Sequence, residues 1–181
     1  MRLTYLIGVP GVGKTSLLSA ITDGLPRLTL TRPFARSVYE FGVVELGAHR
    51  PPFSGTDTLS LSVQPKVVDW AEMPDYTDVV AEGDRLANDK FFEAMRGLGY
   101  DLSIVFCHAP PEVTADRRGK RETVNQLAAQ DPAWLRGRVT KVERLSLAWA
   151  THYLDMARPM HVIVADAVQI PVLDTIWEAR P

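Results

Sequence analysis

The chain has a single cysteine, Cys107, among 181 residues. One thiol excludes an internal disulfide framework and cannot by itself make a metal cluster. Its setting, Ile104-Val105-Phe106-Cys107, is that of a buried strand, where a thiol packs as a small hydrophobe. Histidine is scarce too, and His49, His108, His152 and His161 show no metal-ligand spacing. No apolar run approaches the length of a membrane span, and no charged-then-apolar leader pattern is present, so a cytoplasmic protein without a membrane partner is expected. Neither sign of charge dominates. With 20 Lys and Arg against 22 Asp and Glu, the net charge of −2 argues against a wholly basic nucleic-acid coat but not against a local basic patch. Repeats, linkers and low-complexity tracts are absent, which predicts one domain over residues 1–181.

What is present begins at the first strand-to-helix turn. Leu3-Thr4-Tyr5-Leu6-Ile7 is long enough for one buried strand, and Leu17, Leu18, Ala20 and Ile21 recur at helical spacing from about Lys14 onward. Between them stands Gly8-Val9-Pro10-Gly11-Val12-Gly13-Lys14-Thr15, followed by Ser16, which reads G-x-x-x-x-G-K-T in the strand–helix setting the motif requires. Glycines bring successive N–H groups close to an anion, and the positive end of the helix adds to the attraction for phosphate. Lys14 then supplies a mobile charge for the outer phosphates and Thr15 a hydroxyl for Mg²⁺, which makes this a nucleoside-triphosphate site, with ATP and Mg²⁺ as the expected ligands.

Strand and helix signals alternate along the rest of the chain. Strands are expected over about 40–46, 78–82, 102–106 and 161–164. Helices are expected from Thr58 with Asp57 as cap, kinked or divided at Pro65, then after Asn88, Pro110 and Asp131, with a last short one holding Leu173, Ile176 and Trp177. The Asp131-Pro132 helix carries a stripe of Leu135, Val139, Val142, Leu145, Trp149, Tyr153 and Met156. Residues 27–42 are the least readable. The pattern predicts an α/β fold of three layers around a parallel sheet of about five strands, with an Arg-rich lid.

Three charged constellations stand out. Between residues 117 and 144, eight basic side chains (Arg117, Arg118, Lys120, Arg121, Arg136, Arg138, Lys141 and Arg144) face three acidic ones, which suits a lid over triphosphate as well as a solvated helix face. Arg117 and Arg121, four apart, would share one face. Glu82-Gly83-Asp84-Arg85 follows a strand end, where ligands gather in parallel sheets. Glu82 there could hold the Mg²⁺ water shell or take a proton, Arg85 could grip an acceptor phosphate, and Asp84 could be a cap. The loop Arg50-Pro51-Pro52-Phe53-Ser54-Gly55-Thr56-Asp57 offers a base-sized aromatic and both charge signs, so Arg50, Phe53 and Asp57 are candidate acceptor contacts, or else a capped turn with Phe53 as a core plug.

Taken together, residues 8–15, the Glu82–Arg85 strand end and the Arg117/Arg121 pair resemble P-loop kinases of the nucleoside and nucleotide kinase superfamily. The resemblance implies that Lys14, Arg117 and Arg121 act on the donor and that Glu82 and Arg85 handle the acceptor. The Asp-Arg-Tyr and Glu-Arg-Ser triplets of thymidylate and deoxynucleoside kinases are absent, because Gly83 and Asp84 intervene. The stretch from Glu45-Leu46-Gly47 to Asp57 looks like that of phage-encoded small kinases, including those thought to phosphorylate hydroxymethyluracil within DNA, which would put the protein in a host's cytoplasm. The implied activity is transfer of the γ-phosphoryl of Mg-ATP to a nucleotide or nucleoside-like acceptor, with DNA as a possible acceptor. A P-loop ATPase or switch without an acceptor is the competing class, although the Asn-Lys-x-Asp element of guanine-reading switches is absent and Asn88-Asp89-Lys90 does not fit it. Oligomeric state is not encoded in any of these features.

Overall fold

A computed structural model describes residues 1–48, 54–72, 76–126 and 128–180. Its organising strand is β1 (Arg2–Ile7). Leu3, Tyr5 and Ile7 point to one hydrophobic layer and Leu6 to the other, so the strand is buried on both faces. It pairs in parallel with β5 (Asp78–Glu82) and β6 (Asp101–His108). Outside these lie β4 (Val43–Leu46) against β5 and β7 (His152–Asp155) against β6, again parallel.

A core of five parallel strands is therefore present, four of them where the sequence places them, but they are not the whole sheet. β2 (Arg27–Leu30) and β3 (Arg36–Tyr39) add an antiparallel pair beyond β4, giving a mixed seven-stranded sheet in the order β2-β3-β4-β5-β1-β6-β7. This pair was unreadable because β2 is an edge strand with Arg27, Leu28 and Thr29 all exposed, so burial imposes no alternation on it.

Helices cover both faces. α1 (Lys14–Thr22), α6 (Met160–Ala167) and α7 (Leu173–Glu178) pack on one, and α2 (Gln64–Ala71), α3 (Asp89–Gly97) and α5 (Pro132–Trp149) on the other. α4 (Pro111–Asn125) buries only Thr114 and lies against the loop after β1. Asn88 caps α3 by accepting from the Phe91 N–H, and Asp131 caps α5 by accepting from Trp134.

Three expectations need correction. The helix expected from Thr58 with Asp57 as cap is instead a single 3₁₀ turn (Gly55–Thr58) that contains Asp57, followed after a break by α2; the division falls just before Pro65, which sits in the first turn of α2, where its missing N–H is not needed. The strand expected over residues 161–164 is helix α6. Its Ile163, Val164 and Ala167 form one buried stripe, so packing overrides the β-branched composition. The closing strand is instead the preceding β7, whose Tyr153 had been counted with Met156 in the α5 stripe; α5 ends at Trp149.

All five parallel strands end on one edge of the sheet. Register places Leu6 beside Glu82 and Leu46 beside Ala81, so the segments after β1, β4 and β5 converge there.

Candidate active site

The loop after β1 reaches α1 through glycines in conformations that side chains avoid. Gly11 and Gly13 have φ of +84° and +110°. A Cβ on Gly11 would stand 2.6 Å from the Thr114 carbonyl oxygen and 2.7 Å from Cγ of Arg118, so α4 lies directly on the loop. The turn closes through the Val12 N–H donating to the Val9 carbonyl at 3.2 Å, and Val12 is buried beneath it. Gly13 forms the N-cap of α1 without a side chain, which leaves the helix's first amides open to an anion. Lys14 folds back over the loop, with Nζ donating to the Gly8 carbonyl at 2.7 Å. Ser16 is exposed one residue beyond Thr15.

β5 delivers the second half of the site. The Thr15 hydroxyl donates to Oε1 of Glu82 at 2.8 Å. Glu82 is only 4% exposed, and burial raises its carboxyl above the ordinary carboxylate range, with Lys14 and then the Thr15 hydrogen bond holding it down. Gly55 of the 3₁₀ turn sits against it: a Cβ there would be 2.7 Å from Oε1 and 2.5 Å from the Glu82 carbonyl oxygen.

The two residues separating Glu82 from Arg85 have physical reasons. Gly83 has a φ of +108°, and any Cβ on it would meet the Thr56 hydroxyl at 2.7 Å. Asp84 ion-pairs with Arg138 and, at 2.8 Å, with Lys141, both from α5. Sequence alone suggested only a helix-entry cap for Asp84. Arg85 is half-buried, with Nε lacking a partner among the described residues.

The basic run divides by function. Arg117 donates to the carbonyls of Val12 at 2.7 Å and Met156 at 2.8 Å, and Arg118 to that of Pro10 at 3.0 Å. Arg138, Lys141 and Arg144 hold α5 to Asp84 and Asp89. Lys120 pairs along its own helix with Asp116, and Arg136 is exposed. Arg121 differs, because its buried Nε has no partner among the described residues.

Arg50 and Phe53 lie outside the described residues. Asp57 is placed, and its Oδ1 accepts from the backbone N–H groups of Asp84 at 2.7 Å and Arg85 at 3.2 Å. Tyr5 and Thr56 went unnoticed in sequence. Tyr5 is fully buried and donates to the Gly83 carbonyl at 3.0 Å, with the Thr56 hydroxyl also 3.0 Å from its oxygen. The available signal was the glycines at 47, 55 and 83, each of which lies where a Cβ would collide with a neighbouring segment.

A hard-oxygen pair of one hydroxyl and one carboxylate suits Mg²⁺, which takes few protein ligands and completes its shell with phosphates and water. Among the described residues no cluster of three His, Cys, Asp or Glu could hold a metal by itself. No helix among them is long and apolar enough to cross a membrane.

Comparison with known proteins bears on the family and the fold. The family model described as P-loop Nucleotide Kinase3 matches residues 1–171. No curated protein matches significantly. Among solved structures, the unliganded crystal structure of a sugar kinase from Janibacter sp. aligns over 100% of this chain and 99% of its own, with a TM-score of 0.55 and 18% identity. A likeness at that identity speaks to fold alone.

Proposed function

The chain belongs to the P-loop nucleotide kinase 3 family, and from that premise we propose that it transfers the γ-phosphoryl of Mg-ATP to a nucleotide or nucleoside-like acceptor. The observation that carries this reading is the 2.8 Å contact between Thr15 of the phosphate loop and Glu82 at the end of the neighbouring strand. It joins a site for triphosphate to a carboxylate facing the place where ligands enter such sheets.

The roles follow from position. The open amides at the start of α1 and the glycines of the loop before it cradle the donor phosphates, and Lys14 exchanges its Gly8 carbonyl for their outer oxygens. Thr15 and Glu82 would hold Mg²⁺, directly or through its waters, and the ion would neutralise charge on the donor phosphates. Arg121, whose Nε has no partner among the described residues, meets the charge that develops on the transferring group, while Arg117 fixes the loop through the Val12 carbonyl. Arg85, three residues beyond Glu82, grips the acceptor, with Arg50 and Phe53 as further contacts.

A second, narrower reading takes Glu82, at the end of β5 beside the phosphate loop, as a proton acceptor instead of a Mg²⁺ holder, and the accepting atom is then a hydroxyl. The acceptor oxygen then bonds to Pγ as the bond from Pγ to the bridging oxygen of ADP breaks, and the hydroxyl proton passes to Glu82. A hydroxymethyl group on a pyrimidine in DNA is one acceptor of this kind.

The test is transfer of labelled γ-phosphate from ATP to nucleosides, nucleotides, and plain or hydroxymethylated DNA. Transfer to one class, lost at least about 100-fold in a folded Lys14→Ala variant, is the expected result. ATP hydrolysis that no acceptor stimulates would replace the kinase reading with that of an acceptor-free ATPase or switch.

A further inference from the structure

Four consecutive residues at the end of β5, Glu82 to Arg85, are held by one short turn and one buried tyrosine. Gly55 packs against the Glu82 carboxylate and carbonyl. Tyr5 donates its only hydroxyl proton to the Gly83 carbonyl at 3.0 Å, so the Thr56 hydroxyl is the donor in the 3.0 Å contact with the Tyr5 oxygen. Asp57 accepts from the amides of both Asp84 and Arg85 through one oxygen. On the far side, Arg138 and Lys141 take the Asp84 side chain. The turn and Tyr5 together thus meet every residue of the segment, and the hydrogen bonds of Tyr5 and Asp57 to it all go to backbone atoms, which fix where the chain runs.

We propose that Asp57, with Tyr5 and Thr56 behind it, is a positioning residue that aims Glu82 and Arg85 at the acceptor without touching the acceptor itself. This rests on the kinase reading above. A carboxylate oxygen that already takes two amides has less capacity for a substrate donor, and the amides it takes belong to the residue before Arg85 and to Arg85 itself. Losing Asp57 frees two N–H groups and lets the Arg85 backbone drift. Displacements near 1 Å in such sites lower turnover by about 100-fold.

Geometry and charge can be separated, because Asn offers the same Oδ1 acceptor without the charge. Asp57→Ala, Asp57→Asn and Tyr5→Phe are compared with wild type, using thymidine monophosphate and an oligonucleotide containing hydroxymethyldeoxyuridine as acceptor probes. Hydrogen exchange at the Asp84 and Arg85 amides is followed in parallel. The expected result is a loss of about 10- to 100-fold in acceptor kcat/KM for Asp57→Ala, with ATP KM within about twofold. Both amides should lose protection in that variant. Asp57→Asn should restore protection and most of the activity, and Tyr5→Phe should lie between. Asn as damaging as Ala, with amide protection intact, would make Asp57 a charged acceptor contact and overturn the inference. So would full activity of Asp57→Ala. A wild-type enzyme that phosphorylates neither probe counts against the kinase reading itself, and this inference falls with it.

Discussion

Replacing Glu82 with Gln should make the protein more stable at neutral pH while disabling it. Burial outweighs the attraction of Lys14 and the Thr15 hydrogen bond, so the folded state holds the Glu82 proton more tightly than the unfolded chain does. Below the ordinary value of 4.5, both states carry the proton and ionisation makes no difference. As pH rises past it, the unfolded chain releases its proton first, and folding stability falls until the native carboxyl ionises too; above that point the penalty is constant. Gln never ionises and keeps an oxygen able to accept from Thr15. The variant should therefore melt higher than wild type at pH 7 to 8, with the gap closing at pH 4. Activity moves the other way. A lost proton acceptor costs about 10²- to 10⁴-fold in kcat on a hydroxyl acceptor, or about 3–5 kcal/mol of barrier. Thermal melts across pH and steady-state transfer assays read both quantities. A variant that melts lower at neutral pH would refute the burial argument, and one with full activity on every acceptor would remove Glu82 from the chemistry.

The two arginines four apart should behave differently. Arg117→Ala removes charged donors from two backbone carbonyls and should lower stability by about 2–4 kcal/mol along with ATP affinity, whereas Arg121→Ala should leave the melting temperature unchanged and lower kcat more than it raises ATP KM; denaturant melts and kinetics on both variants check this. Cys107 should resist thiol reagents in the native state, because burial pushes its thiol up to about 12, so labelling at pH 8 should proceed only as fast as the protein opens.

The parts of the site that sequence made legible are those whose determinants are local. A strand, a glycine turn and a helix start lie within residues 3–21, and the limits of β5 follow from a run of buried side chains bounded by polar ones. The Asn88 cap is legible for the same reason, since donor and acceptor are three residues apart. What failed to show was set by partners far along the chain. β2 carries little pattern because an exposed edge strand needs none, and β3 carries little because it buries the polar Arg36 and Ser37. β7 and α6 were exchanged because Tyr153 and Met156 continue the spacing of α5 by coincidence, and only the pairing of β7 with β6 separates them. The basic run looked uniform in sequence, yet its members reach loop carbonyls or an acidic strand end, and the Nε of Arg121 has no partner among the described residues.

The Gly83-Asp84 spacer shows how a departure from a familiar triplet can be structural in origin. Glu followed at once by Arg would bring the second side chain out one residue after the strand. Here the chain first passes beneath the turn at residues 55–57, and only glycine can do so, because the Thr56 hydroxyl and the Asp57 backbone occupy the space a Cβ would need. Asp84 then places one residue between that passage and Arg85, and its side chain reaches away to α5. Glu82 and Arg85 are thereby separated by a segment fixed from both sides. The spacer and the turn make one device: a turn seated this closely requires the glycine, and the glycine's freedom would loosen Arg85 unless the turn held the amides that follow. Restoring a Glu-Arg-x order by deleting Gly83 and Asp84 would thus remove the seat of Asp57 along with the spacer, and the shortened chain would present Arg85 from an unsupported loop.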